Sequence, residues 1–256
     1  MRRIPVWAIV AAMVAAFGGA VAIAESSDES SDSAEGRELL EREQGSPARA
    51  NDGVGAGEAI VVPRDRGTAR VAPPEALLPR RDSRPLGIPS AGRLADGVQV
   101  PVTGPDHFTW DPVRRRAPNR AWRLWGAYGV VRQTLKVLRE YRAAHAGAPR
   151  VGIGDLSRPR GGDFGPRYGL PGHASHQNGL DVDVYYPRRD RSERAPDNVS
   201  EINRRLSQDL VDRFVEAGAE VVFVGPNTAL VGPSAVVQAI PNHDNHLHVR
   251  FPPSRA

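Results

Sequence analysis

The sequence predicts an α+β fold: a small central, mostly antiparallel sheet flanked by helices, preceded by a signal or anchor segment and a disordered tether. Three observations carry that expectation. Residues 179–186 and 245–251 alternate apolar and polar side chains at the period of a half-buried strand. Residues 119–144 and 200–217 repeat apolar side chains every three or four positions, as a helix packed on one side does. Strands and helices do not follow each other in the regular rhythm of a parallel βαβ sheet.

In chain order, Met1-Arg2-Arg3 leads into an uncharged run, residues 4–24, that ends in Ala22-Ile23-Ala24. A basic start, an apolar core and an A-x-A ending make an export signal, and the run is also long enough to remain in a bilayer as an anchor. Either fate places the rest of the chain outside the cytoplasm. Residues 25–85 read as a tether, first acidic and serine-rich, then dominated by Pro, Arg, Gly and Ala. Such a stretch buries too little apolar area to offset its ordering entropy. A short helix over residues 37–44 would be marginal alone. Globular character begins near Leu86, which gives a domain over residues 86–256.

Within that domain, Leu124, Tyr128, Val131, Leu135 and Leu138 form the inner face of the first helix, and Asn119 is placed to cap its start. Residues 151–155 read as a short buried strand, followed by a loop rich in Gly, Pro and Arg to residue 171. In the next strand Leu180, Val182, Val184 and Tyr186 face one way and Asp181, Asp183 and Tyr185 the other. The second helix turns Leu206, Leu210 and Phe214 inward and stops at Gly218. Residues 221–224 form a strand. In the last, Leu247, Val249 and Phe251 point inward while His246, His248 and Arg250 share the opposite face.

Composition removes some chemistries. The absence of cysteine excludes thiol catalysis and disulfides. The formal charge of +4 rests on arginine, Lys136 being the sole lysine. A basic surface outside the membrane suits an anionic polymer such as a cell wall. Nucleic acid is not expected as a partner, because no basic and aromatic segments interleave as a single-strand platform requires. The arginines at 114–116 and 188–189 read as solvated faces, Trp122 and Trp125 as core, and His107 and His145 as surface or partly buried residues without a catalytic role.

The other five of the seven histidines fall into two clusters beside aspartates: His173-Ala-Ser-His176-Gln-Asn-Gly-Leu-Asp181-Val-Asp183 and His243-Asp-Asn-His246-Leu-His248. Imidazole and carboxylate are ligands of catalytic Zn2+, and without cysteine they are the strong zinc ligands this chain has. Residues two apart on a strand share a face at roughly 6.6–7 Å, so His246 and His248 stand side by side. If the two strands are neighbours, His176, Asp183 and His248 converge on one ion and leave a fourth position for water. Metal-bound water has a pKa near ~7. No Glu lies in either cluster, which makes His246 the candidate general base. His173 reads either as an additional ligand or as a hydrogen-bond partner of the developing oxyanion, and Asp181 as a group that orients a ligand imidazole.

Three ordered motifs, Gly154-Asp155-Leu-Ser157-Arg-Pro159-Arg-Gly161-Gly162, the first histidine cluster and His243-Asp-Asn-His246-Leu-His248-Val-Arg250, resemble the penicillin-insensitive murein endopeptidases, within the broader lysostaphin-type and D-Ala-D-Ala metallopeptidases. Ser90-Ala-Gly92-Arg93-Leu94 and Gly97-Val98 are similar to that family's start of domain. The resemblance covers roughly residues 86–251. It implies a small α+β zinc endopeptidase that cuts peptide crosslinks between peptidoglycan stem peptides in the periplasm or otherwise outside the inner membrane. By motif position it makes His176, Asp183 and His248 zinc ligands, accompanied by His173, and His246 the catalytic histidine. Asp155, Ser157 and the glycines after it would shape the cleft wall. The loop over residues 163–171 and the long tether depart from the family's pattern. The rival expectations are a D,D-carboxypeptidase that trims stem peptides and a non-catalytic zinc-dependent binding module.

Overall fold

A computed structural model describes residues 72–253. The segment at 4–24, the tether up to residue 71 and the short helix at 37–44 lie outside the described residues. Among the described residues no helix is long and apolar enough to cross a membrane.

The chain forms a hairpin of β1 (Arg84–Ile88) and β2 (Ala91–Ala95) and a small pair of β3 (Val98–Gln99) with β5 (Trp125–Gly126). The main sheet holds β4 (His107–Thr109), β6 (Val151–Ile153), β7 (Asp181–Tyr185), β8 (Val221–Val224), β9 (Val237–Ala239) and β10 (His246–Arg250). Its spatial order is β4-β6-β7-β10-β8-β9. The three inner ladders are antiparallel, as expected, while the outer pairs β4–β6 and β8–β9 are parallel. Parallel neighbours need a long crossover, and between β4 and β6 it contains α1 (Tyr128–Ala144). Strands β4 and β9 have three residues each, too few to show an alternation in sequence.

Both α1 and α2 (Arg204–Glu216) share one apolar core with the inward side chains of the sheet. Leu135, Leu138 and Tyr141 from α1 and Leu210 and Phe214 from α2 cluster with Val182, Val184, Leu247 and Val249. The helices therefore cover one face of the sheet instead of flanking it. The opposite face is left to Asp183, His246 and His248.

Helix α1 starts later than its apolar period suggested. Asn119 does not cap it; its side-chain amide donates to Gly154 O and Asp155 Oδ1, both at 3.0 Å. The chain then makes a 3-10 turn at Ala121–Arg123 and the strand β5 before Ala127 opens the helix without a side-chain cap. Helix α2 is capped by Asn203, whose Oδ1 accepts Leu206 N at 3.2 Å, and the chain leaves it through Gly218 at φ +85°. The packed body also reaches back beyond Leu86: Glu75 is buried and paired with Arg139 at 2.8 Å, and Leu78 belongs to the core.

Some isolated polar readings change. Arg188 is not a solvated cation; it is buried between Asp190 and Glu201. Trp122 and Trp125 are half-buried, Trp125 packed against the core as expected, and Arg120 and Arg123 lie over the Trp122 ring. His107 is buried with Nε2 2.8 Å from Pro101 O, and His145 Nε2 pairs with Asp209 Oδ2 at 3.0 Å, joining the end of α1 to α2.

Removing a fully buried side chain remote from the histidines tests the shared core: Leu138→Ala should lower the unfolding free energy by about 2–5 kcal/mol in denaturant titration. A loss below ~0.5 kcal/mol would contradict the packing. Burial pushes His107 below its ordinary pKa, opposed only in part by the Pro101 carbonyl. A histidine shifted down contributes stability that is present above its unfolded pKa of ~6.5 and lost as pH falls below it. His107→Gln should therefore flatten the fall in melting temperature between about pH 6.5 and pH 5; an equally steep fall would refute this.

Candidate metal centre

The site is built by strand register. Antiparallel pairing of β7 with β10 sets His248 opposite Asp183, His246 opposite Tyr185 and Arg250 opposite Asp181. The alternate residues Val182, Val184, Leu247 and Val249 are fully buried in the core and fix which face the polar set occupies. His176 comes from the turn before β7, at φ +68°. A histidine in the left-handed region is strained, and here Gly179 at φ +74° completes the turn in a space where a Cβ would meet Leu94 and Ala127 N. Gly154 at the end of β6 serves the same closeness: a Cβ there would lie 3.1 Å from Asp183 Cβ and 3.2 Å from the Tyr185 ring.

Three potential ligand atoms then converge. Asp183 Oδ1 lies 3.3 Å from His176 Nε2 and 3.2 Å from His248 Nδ1, and these two nitrogens are 3.2 Å apart. Their other ring nitrogens are already committed. His176 Nδ1 donates to Leu156 O at 2.5 Å, and His248 Nε2 donates to Asp181 Oδ1 at 3.1 Å. Each imidazole therefore turns a lone pair toward the same carboxylate oxygen. Asp183 Oδ1 is buried and makes no hydrogen bond. An ion held at ~2.0–2.1 Å in tetrahedral geometry spaces its ligand atoms about 3.3 Å apart, which is the spacing found. The residues fit a small divalent metal.

Around this triangle the charges are matched. Asp181 also accepts Arg250 Nε at 2.6 Å and His176 N at 3.0 Å. Burial alone would raise its pKa, but the hydrogen bond from His248 and the Arg250 charge hold it well below the usual carboxylate range. Asp183 is likewise held low against burial, chiefly by the facing histidines. Burial pushes His248 down, yet the two aspartates outweigh it and raise it to about 9. At neutral pH a proton thus competes with a metal for His248. His246 is lowered to about 4, first by burial; its Nδ1 bonds Asn245 Oδ1 at 2.7 Å and its Nε2 stands 3.8 Å from Asp183 Oδ1.

His173 joins the group differently. His173, His176 and Asp183 each offer a ligand atom within 4.8 Å of the others. His173 Nε2, however, lies 2.8 Å from Asp155 Oδ2 and only 3.8 Å from Asp183 Oδ2. Asp155 and Ser157 do not form a cleft wall; both are fully buried, Asp155 because Arg123 binds its two oxygens at 2.7 and 2.5 Å. His243 stacks beside His246 with ring centres 4.8 Å apart, its Nδ1 turned to Pro241 O at 2.8 Å, so it stays outside the triangle. Arg123 escapes the sequence reading, and Asn119 enters it only as a helix cap; neither bond to Asp155 leaves a periodic signal. Arg250 did carry one, since alternation puts it on the face of His248.

A family model described as penicillin-insensitive murein endopeptidase matches residues 85–230. The chain belongs to that family. The matched span includes His173, His176, Asp181 and Asp183, whereas His246 and His248 lie beyond it on β10. A curated relative, the penicillin-insensitive murein endopeptidase of Haemophilus influenzae, is 50% identical over 44 residues. That stretch is 17% of this chain and 14% of the relative, so the chain matches about a seventh of the relative's length.

Asp181 neutralises Arg250 in a buried place, so Asp181→Ala leaves a guanidinium without its counter-charge. The expected loss is about 3–5 kcal/mol in denaturant unfolding. Stability equal to the parent's would show that the pair is not what holds this end of the sheet.

Proposed function

We propose that this chain is a zinc-dependent endopeptidase that hydrolyses peptide crosslinks between peptidoglycan stem peptides outside the cytoplasmic membrane. The observation that supports it most is the convergence of two imidazole lone pairs and an unbonded carboxylate oxygen at tetrahedral spacing, with His246 alongside. Two histidines and a carboxylate also suit non-haem iron, but membership of a peptidase family favours a hydrolytic metal without redox chemistry.

His176, Asp183 and His248 would hold the ion, accompanied by His173. When bound, zinc supplies a Lewis acid for the scissile carbonyl and brings the pKa of a coordinated water near ~7. The remaining work falls to side chains. Asn245 accepts the Nδ1–H of His246, which leaves Nε2 as the acceptor beside Asp183. From there His246 takes the proton of the attacking water and returns it to the departing amine. Asp181 holds the His248 ring in place through Nε2–H. Residues 1–24 would direct export or anchor the chain, and the tether that follows would let the catalytic body reach the wall.

Purified protein incubated with crosslinked muropeptide dimers should release monomers, read by mass spectrometry, and a chelator should stop the reaction. Loss of a terminal D-Ala alone would instead mark a carboxypeptidase, and bound zinc with no cleavage a binding module. His246→Ala should keep its zinc and lose at least ~100-fold in turnover; unimpaired turnover would remove it as the base.

A further inference from the structure

Asp155 has no part in the mechanism above, yet its carboxylate is fixed from several sides. It is fully buried just beyond β6. Oδ1 accepts Arg123 Nε at 2.7 Å and Asn119 Nδ2 at 3.0 Å, while Oδ2 accepts Arg123 Nη2 at 2.5 Å and faces His173 Nε2 at 2.8 Å. Arg123 is itself buried. Its Nη1 donates to Tyr168 O at 2.8 Å, and its guanidinium lies 5.0 Å from the Trp122 ring centre and 4.9 Å from that of Phe164. Phe164 O in turn accepts His173 N at 2.9 Å, and the His173 ring lies 5.1 Å from the Phe164 ring. Arg123 thus grips both the carboxylate and the loop that delivers His173.

A bidentate guanidinium and an amide leave this carboxylate no freedom to rotate. What it presents to His173 is one oriented acceptor. The imidazole can satisfy that acceptor only through Nε2–H, and Nδ1 is then its remaining acceptor. The His173 and His176 rings stand 4.2 Å apart, so a fixed His173 means a fixed neighbour to the converging ligand atoms.

We propose that Asp155, clamped by Arg123 and Asn119, is a positioning residue that sets the orientation and tautomer of His173 and through it the zinc affinity of the site. This rests on the metal site proposed above. Asp155 holds the same His173 nitrogen that stands 3.8 Å from Asp183 Oδ2, so its loss would free that ring beside the ligand atoms; losing an outer partner of a metal site typically weakens metal binding by about 10–100-fold. The rival account is that Arg123 and Asp155 only fasten the loop to the sheet. That account predicts equal damage whether or not His173 is present.

The test is a double-mutant cycle on zinc affinity, measured with the full chain by competition against a chromogenic chelator. Asp155→Asn should weaken zinc by about 10–100-fold, but by less than about twofold in a His173→Ala background. Should Asp155→Asn fail to fold, Asp155→Glu retains the charge opposite Arg123 and moves the carboxylate by one methylene, so it enters the same cycle. Nitrogen-15 spectra of the imidazoles in zinc-loaded protein should show the His173 proton on Nε2. Equal losses in both backgrounds, no loss in either, or a His173 proton on Nδ1 would overturn the proposal. If the parent protein binds no zinc, the metal reading itself fails; zinc binding that is indifferent to Asp155 sinks only the positioning role.

Discussion

Everything at the polar face of the sheet depends on the register between β7 and β10. A strand alternates its side chains with a period of two, so a slip of one residue would turn Asp183 or His248 into the core and Val182 or Val249 toward the histidines. The apolar partners forbid that slip. Val182, Val184, Leu247 and Val249 are wholly removed from water against α1 and α2, and their burial selects the one pairing that leaves Asp183 facing His248. Core packing and site geometry are the same constraint seen from two sides of one sheet.

Register alone gives proximity; hydrogen bonds give direction. Leu156 O occupies one nitrogen of His176 and Asp181 one nitrogen of His248, so the remaining lone pairs cannot turn away from Asp183. Three acceptors pressed together without a bond of their own are unfavourable unless a cation or a proton joins them. The surrounding charges are arranged for that. Asp181 is offset by Arg250 and Asp155 by Arg123, which leaves the negative charge of Asp183 for whatever the histidines share. Burying so many ionised groups costs more than an apolar core would, and the fold supports them with two helices packed behind the sheet.

Much of this was legible in the sequence because it is local. The alternation around Asp183 and around His248 identified both strands, and the sides to which their residues point agree with the structure. Periodicity located both helices but misplaced their starts, since Asn119 bonds to Asp155 and Gly154 far along the chain, in contacts that leave no trace in a local pattern. Strands β4 and β9 are too short to alternate. Arg123 looked like one arginine among many, and Arg188 like part of an exposed pair; their burial is set by carboxylates that only folding brings near. That the two strands adjoin could be supposed from the histidines, while the tautomers follow from hydrogen bonds to Leu156 O and Asp181 that only folding creates.

The most direct trial of the account is X-ray absorption at the zinc edge on purified protein loaded with one equivalent of metal. The account predicts a first coordination shell at about 2.0–2.1 Å containing imidazole nitrogens and a carboxylate oxygen, absent from Asp183→Ala protein that remains folded by circular dichroism. A folded parent that takes up no zinc, or a zinc spectrum unchanged by loss of Asp183, would contradict it.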